Sequence, residues 1–262
     1  MDLNLAGKRA LVCGSSQGIG RACAEQLAQL GASITLFSRD REKLEAVKKA
    51  LHSSAGQDHR VLVADFSDPG QVATAIEAHL AEAGPCEILI NNTGGPAPGP
   101  AHTAEPQAFV DAFNLHLVSN QTLVQALLPG MQAAGYGRII NIISTSVKLP
   151  LRGLGVSNTI RGAVASWAKT LANELGPFNI TVNNVLPGAT ATVRLDAIIE
   201  NKMKKQGKSR EEVEAAEKST IPLGRFGEAS ELANAVAFLA SPAASYISGV
   251  SLPVDGGRTG CL

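Results

Sequence analysis

Seven short apolar runs separated by stretches of helical periodicity recur along this chain, and that alternation is the strongest constraint on its fold. The runs fall at residues 10–13, 33–38, 60–64, 87–91, 139–144, 181–186 and 250–254. Helical patterns begin near Ile19 and Pro69, and a charged one runs to about Leu51. Runs of four to six residues without polar alternation are the mark of strands buried on both faces. Parallel neighbours need crossover connections, which in their right-handed form stack helices on both sides of the sheet. The expectation is an α/β fold: one doubly wound domain spanning residues 1–262, with a seven-stranded parallel sheet between helix layers.

Composition removes several partner classes. The 23 basic and 23 acidic residues cancel, so no clustered positive surface is expected for nucleic acid. No apolar run reaches the roughly 20 residues that span a bilayer, and the polar start MDLNLAGKRA lacks a signal-peptide core. A cytoplasmic protein without a membrane partner is expected. Cys13, Cys23, Cys86 and Cys261 lie far apart with no Cys/His cluster, which predicts reduced thiols and no metal site.

The first run leads into GSSQGIG, where Gly14, Gly18 and Gly20 separate a strand from a helix. A strand, a glycine-rich turn and a helix N-terminus together present backbone N–H groups to a diphosphate. The GxxxGxG spacing is also compatible with a plain tight turn. Asp65, at the end of the third run, is placed either to accept from an adenine amino group or to cap the following helix.

With these segments in view, the chain resembles the short-chain dehydrogenase/reductase family, nearest to the 3-oxoacyl-acyl-carrier-protein reductases. The resemblance runs end to end: GSSQGIG (14–20), Asp65, NNTG (91–94), Asn114, GRIINIIS (137–144), ITVNNVLPG (180–188) and SGVSLPVDGG (248–257). It implies a Rossmann-type domain and a dinucleotide held by Gly14, Ser16, Gln17, Gly18, Ile19, Gly20, Asp65, Phe66, Asn91, Thr93 and Gly94. Farther on it implies contacts from Pro187, Gly188 and either Thr190 or Thr192. It also implies a helical substrate lid around residues 190–225, a small-molecule carbonyl or acyl substrate, and a homotetramer.

At the end of the second run stand Ser38 and Arg39. A guanidinium beside a small hydroxyl favours a 2′-phosphate, so NADP(H) is expected in preference to NAD(H). The alternative is that Arg39 belongs to the solvated helix start RDREKLE.

The catalytic frame is altered. In the family a serine, a tyrosine thirteen residues later and a lysine four beyond that perform the proton chemistry, with an asparagine relaying protons through water. Ser144 and Asn114 match, but Ser157 and Arg161 stand at the tyrosine and lysine positions. An alkyl hydroxyl is far less acidic than a phenol, and a guanidinium holds its proton too tightly for a relay. Arg161 is therefore expected to hold ribose better than it moves protons. Lys148 is a candidate replacement acid, with Arg152 beside it, and both are alternatively solvated loop charges. His116 falls about 200° around the helix from Asn114 and is expected to be a packed helix histidine. Two functions remain open: an NADP(H)-dependent oxidoreductase with an atypical site, and a dinucleotide-binding pseudoenzyme with a regulatory or structural role.

Overall fold

The computed structural model describes residues 1–261. Seven strands, β1 (Arg9–Cys13), β2 (Ser33–Ser38), β3 (Arg60–Val63), β4 (Ile88–Asn91), β5 (Gly137–Ile142), β6 (Ile180–Pro187) and β7 (Ser251–Val254), form one sheet in the order β3-β2-β1-β4-β5-β6-β7. Every pairing is parallel. The expected fold class is therefore observed, with the order reversing between β1 and β4, the topological point where open α/β sheets leave a crevice.

Alternation along β1 shows how the layers arise. Ala10 and Val12 project into a core with α1 (Gly18–Gln29), α2 (Arg41–Ala50) and α9 (Ala229–Ala240), while Leu11 and Cys13 join the opposite core. That second core is built with α3 (Pro69–Ala83), α5 (Ser119–Ala134) and α6 (Gly155–Leu175). Successive residues of a strand face opposite sides, so an uninterrupted apolar run serves two cores at once.

Three further features shape the carboxyl end of the sheet. Helix α4 (Pro106–Phe113) continues through a π-helical turn at Asn114–Val118 into α5. After β6, α7 (Val193–Gln206) and α8 (Arg210–Lys218) form a helical pair over the region expected to be a lid. Ser144 lies beyond β5, where it caps a short 3₁₀ turn at Thr145–Val147; the fifth strand begins and ends two residues before its apolar run.

Candidate functional site

A cleft of about 500 Å³ opens at the carboxyl ends of β1, β2, β3 and β4, lined among others by Gly14, Ser16, Gln17, Ser38, Arg39, Lys43, Asp65, Phe66, Thr93, Gly94 and Gly95. Its floor depends on close backbone approach. Gly14 has φ +60°, and a Cβ there would overlap the Asn92 carbonyl. A Cβ on Gly20 would overlap the Gly14 carbonyl. Helix α1 starts from Gln17 with no side-chain cap, which leaves its first-turn amides open for an anion.

Of the two adjacent asparagines, Asn92 is the one that reaches back to the glycine turn. Asn92 donates to the carbonyls of Cys13 and Gly14, at 3.3 Å each. Asn91 instead lies buried beneath the cleft, donating to Asn141 at 2.9 Å. Asn141 donates to Asn184 at 3.0 Å, and Asn184 donates to Ser251 Oγ at 3.2 Å. These four residues are register partners across β4, β5, β6 and β7, so sheet register aligns their side chains into a buried polar ladder.

At the β2 end, Ser38 Oγ is buried with no hydrogen-bond partner, a cost that a bound polar group would remove. Arg39 is exposed and reaches Asp65 at 3.5 Å. Asp40, also on the cleft wall, is occupied by the backbone and side-chain nitrogens of Lys43. The alternative of Asp65 as a helix cap is corrected: Asp68 caps α3, accepting from Gly70 and Gln71. Asp65 accepts from the amide and hydroxyl of Ser67, at 2.9 and 2.8 Å. Those bonds, the amide first, hold its carboxyl below the usual range, with Arg39 adding to the effect. Phe66 packs on Phe37 with ring centroids 4.6 Å apart. A serine with an orphaned hydroxyl, an adjacent arginine and an uncapped helix N-terminus fit the phosphates of NADP(H).

The far end of the cleft joins β4, β5 and α6. Arg161 is buried, donating to the Ile142 carbonyl at 3.0 Å and the Thr93 carbonyl at 3.5 Å. Burial first, and the charge of Arg194 second, push its pKa down to about 10. Ser157 lies one turn earlier on the same face of α6, half-buried. Ser144 Oγ accepts from the Ser146 amide at 3.0 Å, leaving its proton free to donate. Asn114 opens the π-helical turn and is partly exposed. Lys148 and Arg152 are exposed at the surface. Neither tyrosine reaches this region: Tyr136 donates its hydroxyl to Ala240, and Tyr246 is fully exposed.

One residue read as a packed histidine belongs to this cluster. His116 Nδ1 lies 2.6 Å from Thr93 Oγ1, and its Nε2 is buried without a partner. Burial and then the charge of Arg161 push its pKa down to about 2, so the imidazole is neutral. No local pattern signals this pairing, since Thr93 and His116 lie 23 residues apart.

Beyond β6, Pro187 ends the strand and Gly188 packs directly on the Asp255 backbone. Of the two threonines, Thr190 is buried and donates to the Gly188 carbonyl. Thr192 faces Gly18 across the cleft, its methyl 3.6 Å from where a Cβ on that glycine would lie. Arg194 then donates to the Pro96 carbonyl at 3.1 Å. The proline-glycine loop after β4 is tied to the approach to α6: Gly99 donates to Gly153 at 2.7 Å and accepts from Gly155 at 2.9 Å.

This arrangement is that of a Rossmann-type domain with a nucleotide cleft at its topological switch point, and the chain belongs to the short-chain dehydrogenase/reductase family. A family model described as enoyl-(acyl carrier protein) reductase matches residues 14–259. The chain is similar to the NADPH-dependent reductase BacG of Bacillus subtilis, 34% identical over 97% of this chain and 98% of that protein. It is also 34% identical to the 3-oxoacyl-[acyl-carrier-protein] reductase FabG of Haemophilus influenzae, over 97% and 98% of the two chains. The L-sorbose reductase of Gluconobacter frateurii, solved with NADPH and L-sorbose, superposes with a TM-score of 0.94 at 32% identity, covering both chains fully.

Proposed function

We propose that this protein is an NADP(H)-dependent oxidoreductase acting on a carbonyl or alcohol, with an atypical proton-delivery site. The observation that carries this reading is the buried Arg161, anchored to Thr93, a residue that also lines the cleft holding Ser38 and Arg39. In this reading Gly14, Ser16, Gln17, Gly18, Ile19 and Gly20 receive the diphosphate, and Ser38 and Arg39 the 2′-phosphate. Asp65, Phe66 and Gly94 frame the adenosine, Arg161 holds the nicotinamide ribose, and Pro187, Gly188 and Thr192 border the carboxamide. Asn91 and Thr190 act from beneath as supports.

When bound, the nicotinamide supplies or accepts hydride. The protein must then manage charge on the substrate oxygen. Ser144, already an acceptor from Ser146, turns its O–H toward that oxygen. Arg161 places a buried positive charge nearby, and burial strengthens its stabilisation of a developing alkoxide. Ser157 adds a second hydroxyl of low acidity, and Asn114 with Lys148 connects the site to solvent protons. Without a phenol, the rate enhancement of about 10² to 10⁴ that general acid catalysis contributes is largely forgone.

The positions of Tyr136 and Tyr246, both away from Ser144, favour a second reading: a dinucleotide-binding protein without turnover, serving a regulatory or structural role. Calorimetry with NADPH and NADPH oxidation over a panel of 3-oxoacyl thioesters, ketoses and small ketones separate the two. Binding with slow turnover that Ser144→Ala abolishes supports the oxidoreductase. Binding with no turnover on any compound supports the second reading, and no binding defeats both. The exposed Val110 and Phe113 of α4 and Leu252 of β7 support a homotetramer, to be checked by light scattering. The buried free thiols of Cys13, Cys23 and Cys86 support a reducing, cytoplasmic setting.

A further inference from the structure

Arg161 and Arg194 converge on the loop after β4 from different elements, and both are bonded there to neutral carbonyls. Their acceptors are only three residues apart: Thr93 for Arg161 at 3.5 Å, Pro96 for Arg194 at 3.1 Å. A guanidinium carries five N–H donors, so each keeps donors beyond these bonds. After burial, Arg194 is what depresses the Arg161 pKa, and no acidic group acts in the opposite direction. Elsewhere in the α7–α8 pair, cations do meet acids: Arg210 pairs with Asp196 and Glu214, and Lys218 with Glu214. Acidic side chains are thus at hand in this region, and among the described residues none is paired with Arg194.

Two neighbouring cations without a counter-ion repel each other, and Arg161, buried where Arg194 is exposed, has also lost its hydration; an anion between them offsets both costs. The phosphates of the cofactor have other receptors in the reading given above, namely the amides of α1 and the Ser38–Arg39 pair. We propose that Arg194, with the charge of Arg161 behind it, forms a subsite for a carboxylate on the substrate. The substrate class is then a hydroxy or oxo acid, its acid group seated between α6 and the first turn of α7. This assignment rests on the proposed cofactor site and deepens it.

The test is calorimetry on the NADP⁺-saturated wild type and on the Arg194→Gln and Arg194→Lys variants. The probes are tartrate and 3-hydroxybutyrate, each against an uncharged counterpart, dimethyl tartrate and 3-hydroxybutyramide. The expected result is at least about a tenfold preference for an acid over its neutral form in the wild type, a factor worth about 1.4 kcal/mol. Arg194→Gln should abolish the preference and Arg194→Lys should keep part of it, with NADP⁺ affinity unchanged within about twofold. Equal affinity for charged and uncharged forms overturns the proposal, as does the absence of acid binding to the NADP⁺ complex. If Arg194→Gln weakens NADP⁺ while the acid preference persists, Arg194 serves the cofactor diphosphate and the substrate assignment falls. Failure of the wild type to bind NADP⁺ overturns the cofactor reading instead, and acid preference on the free protein then decides this one.

Discussion

The Thr93 hydroxyl lies 2.6 Å from Nδ1 of His116, while the Thr93 carbonyl accepts from Arg161 at 3.5 Å. One residue therefore connects a neutral buried imidazole to a buried guanidinium. Thr93, His116, Ser157 and Arg161 lie on three elements, and three of them are joined through Thr93.

Stability should fall on mild acidification because of His116. Its folded pKa is depressed to about 2, from an ordinary value of 6.5. Between these values the unfolded chain binds a proton that the folded chain refuses, so stability rises with pH in this window and is lost as pH falls below about 6.5. The slope approaches about 1.4 kcal/mol per pH unit at the acid end. Urea denaturation at pH 7, 6 and 5 should show His116→Asn losing less stability over this range than the wild type. Parallel curves for the two proteins would refute the effect.

Arg39→Ala should remove most of the preference for NADPH. Losing one charge-assisted contact to the 2′-phosphate costs about 1.5 to 3 kcal/mol, roughly ten- to a hundredfold in affinity. NADH affinity should not change. Calorimetry showing equal NADPH and NADH affinities in the wild type would remove the basis of this expectation.

Ser157→Tyr with Arg161→Lys should raise NADPH oxidation on small ketones by about tenfold, well short of the 10² to 10⁴ range for a well-placed acid. The gain is limited because Arg161 spans two carbonyls, those of Ile142 and Thr93, and a lysine ammonium lacks the planar fork to do the same. A folded double variant that binds NADPH normally yet gains nothing would show that a phenol at position 157 does not meet substrate.

Asn141→Leu should destabilise the fold strongly. It strips partners from Asn91 and Asn184 on either side, and each buried polar group left unsatisfied costs about 1 to 3 kcal/mol. The urea midpoint should drop accordingly. A midpoint within error of the wild type would mean that the ladder relaxes into other bonds.

Legibility in the sequence tracked the range of the interactions. The alternation of apolar runs with helices is a local pattern, and each of the seven strands overlaps the run that placed it, with β5 displaced by two residues. The offset between Ser157 and Arg161 was equally readable, since α6 keeps residues four apart on one face. Asn91 and Asn92 could not be told apart because nothing within NNTG tells which amide turns into the sheet and which reaches back to Gly14. Thr190 and Thr192 could not be separated for the same reason: the strand end decides which one turns inward.

His116 marks the limit most clearly. It lies in the π-helical turn at Asn114–Val118, and its partner lies 23 residues earlier, just beyond strand β4. By itself the sequence determined the layered sheet, the glycine turn and the absence of a tyrosine at position 157, because those follow from hydrophobic periodicity, close backbone approach and residue identity. Only the tertiary structure decided that Asn91, Asn141, Asn184 and Ser251 form one ladder, and that Thr93, His116, Arg161 and Arg194 share a neighbourhood. Parallel register and crossover packing bring together side chains that no local pattern relates, and burial then sets their charge states.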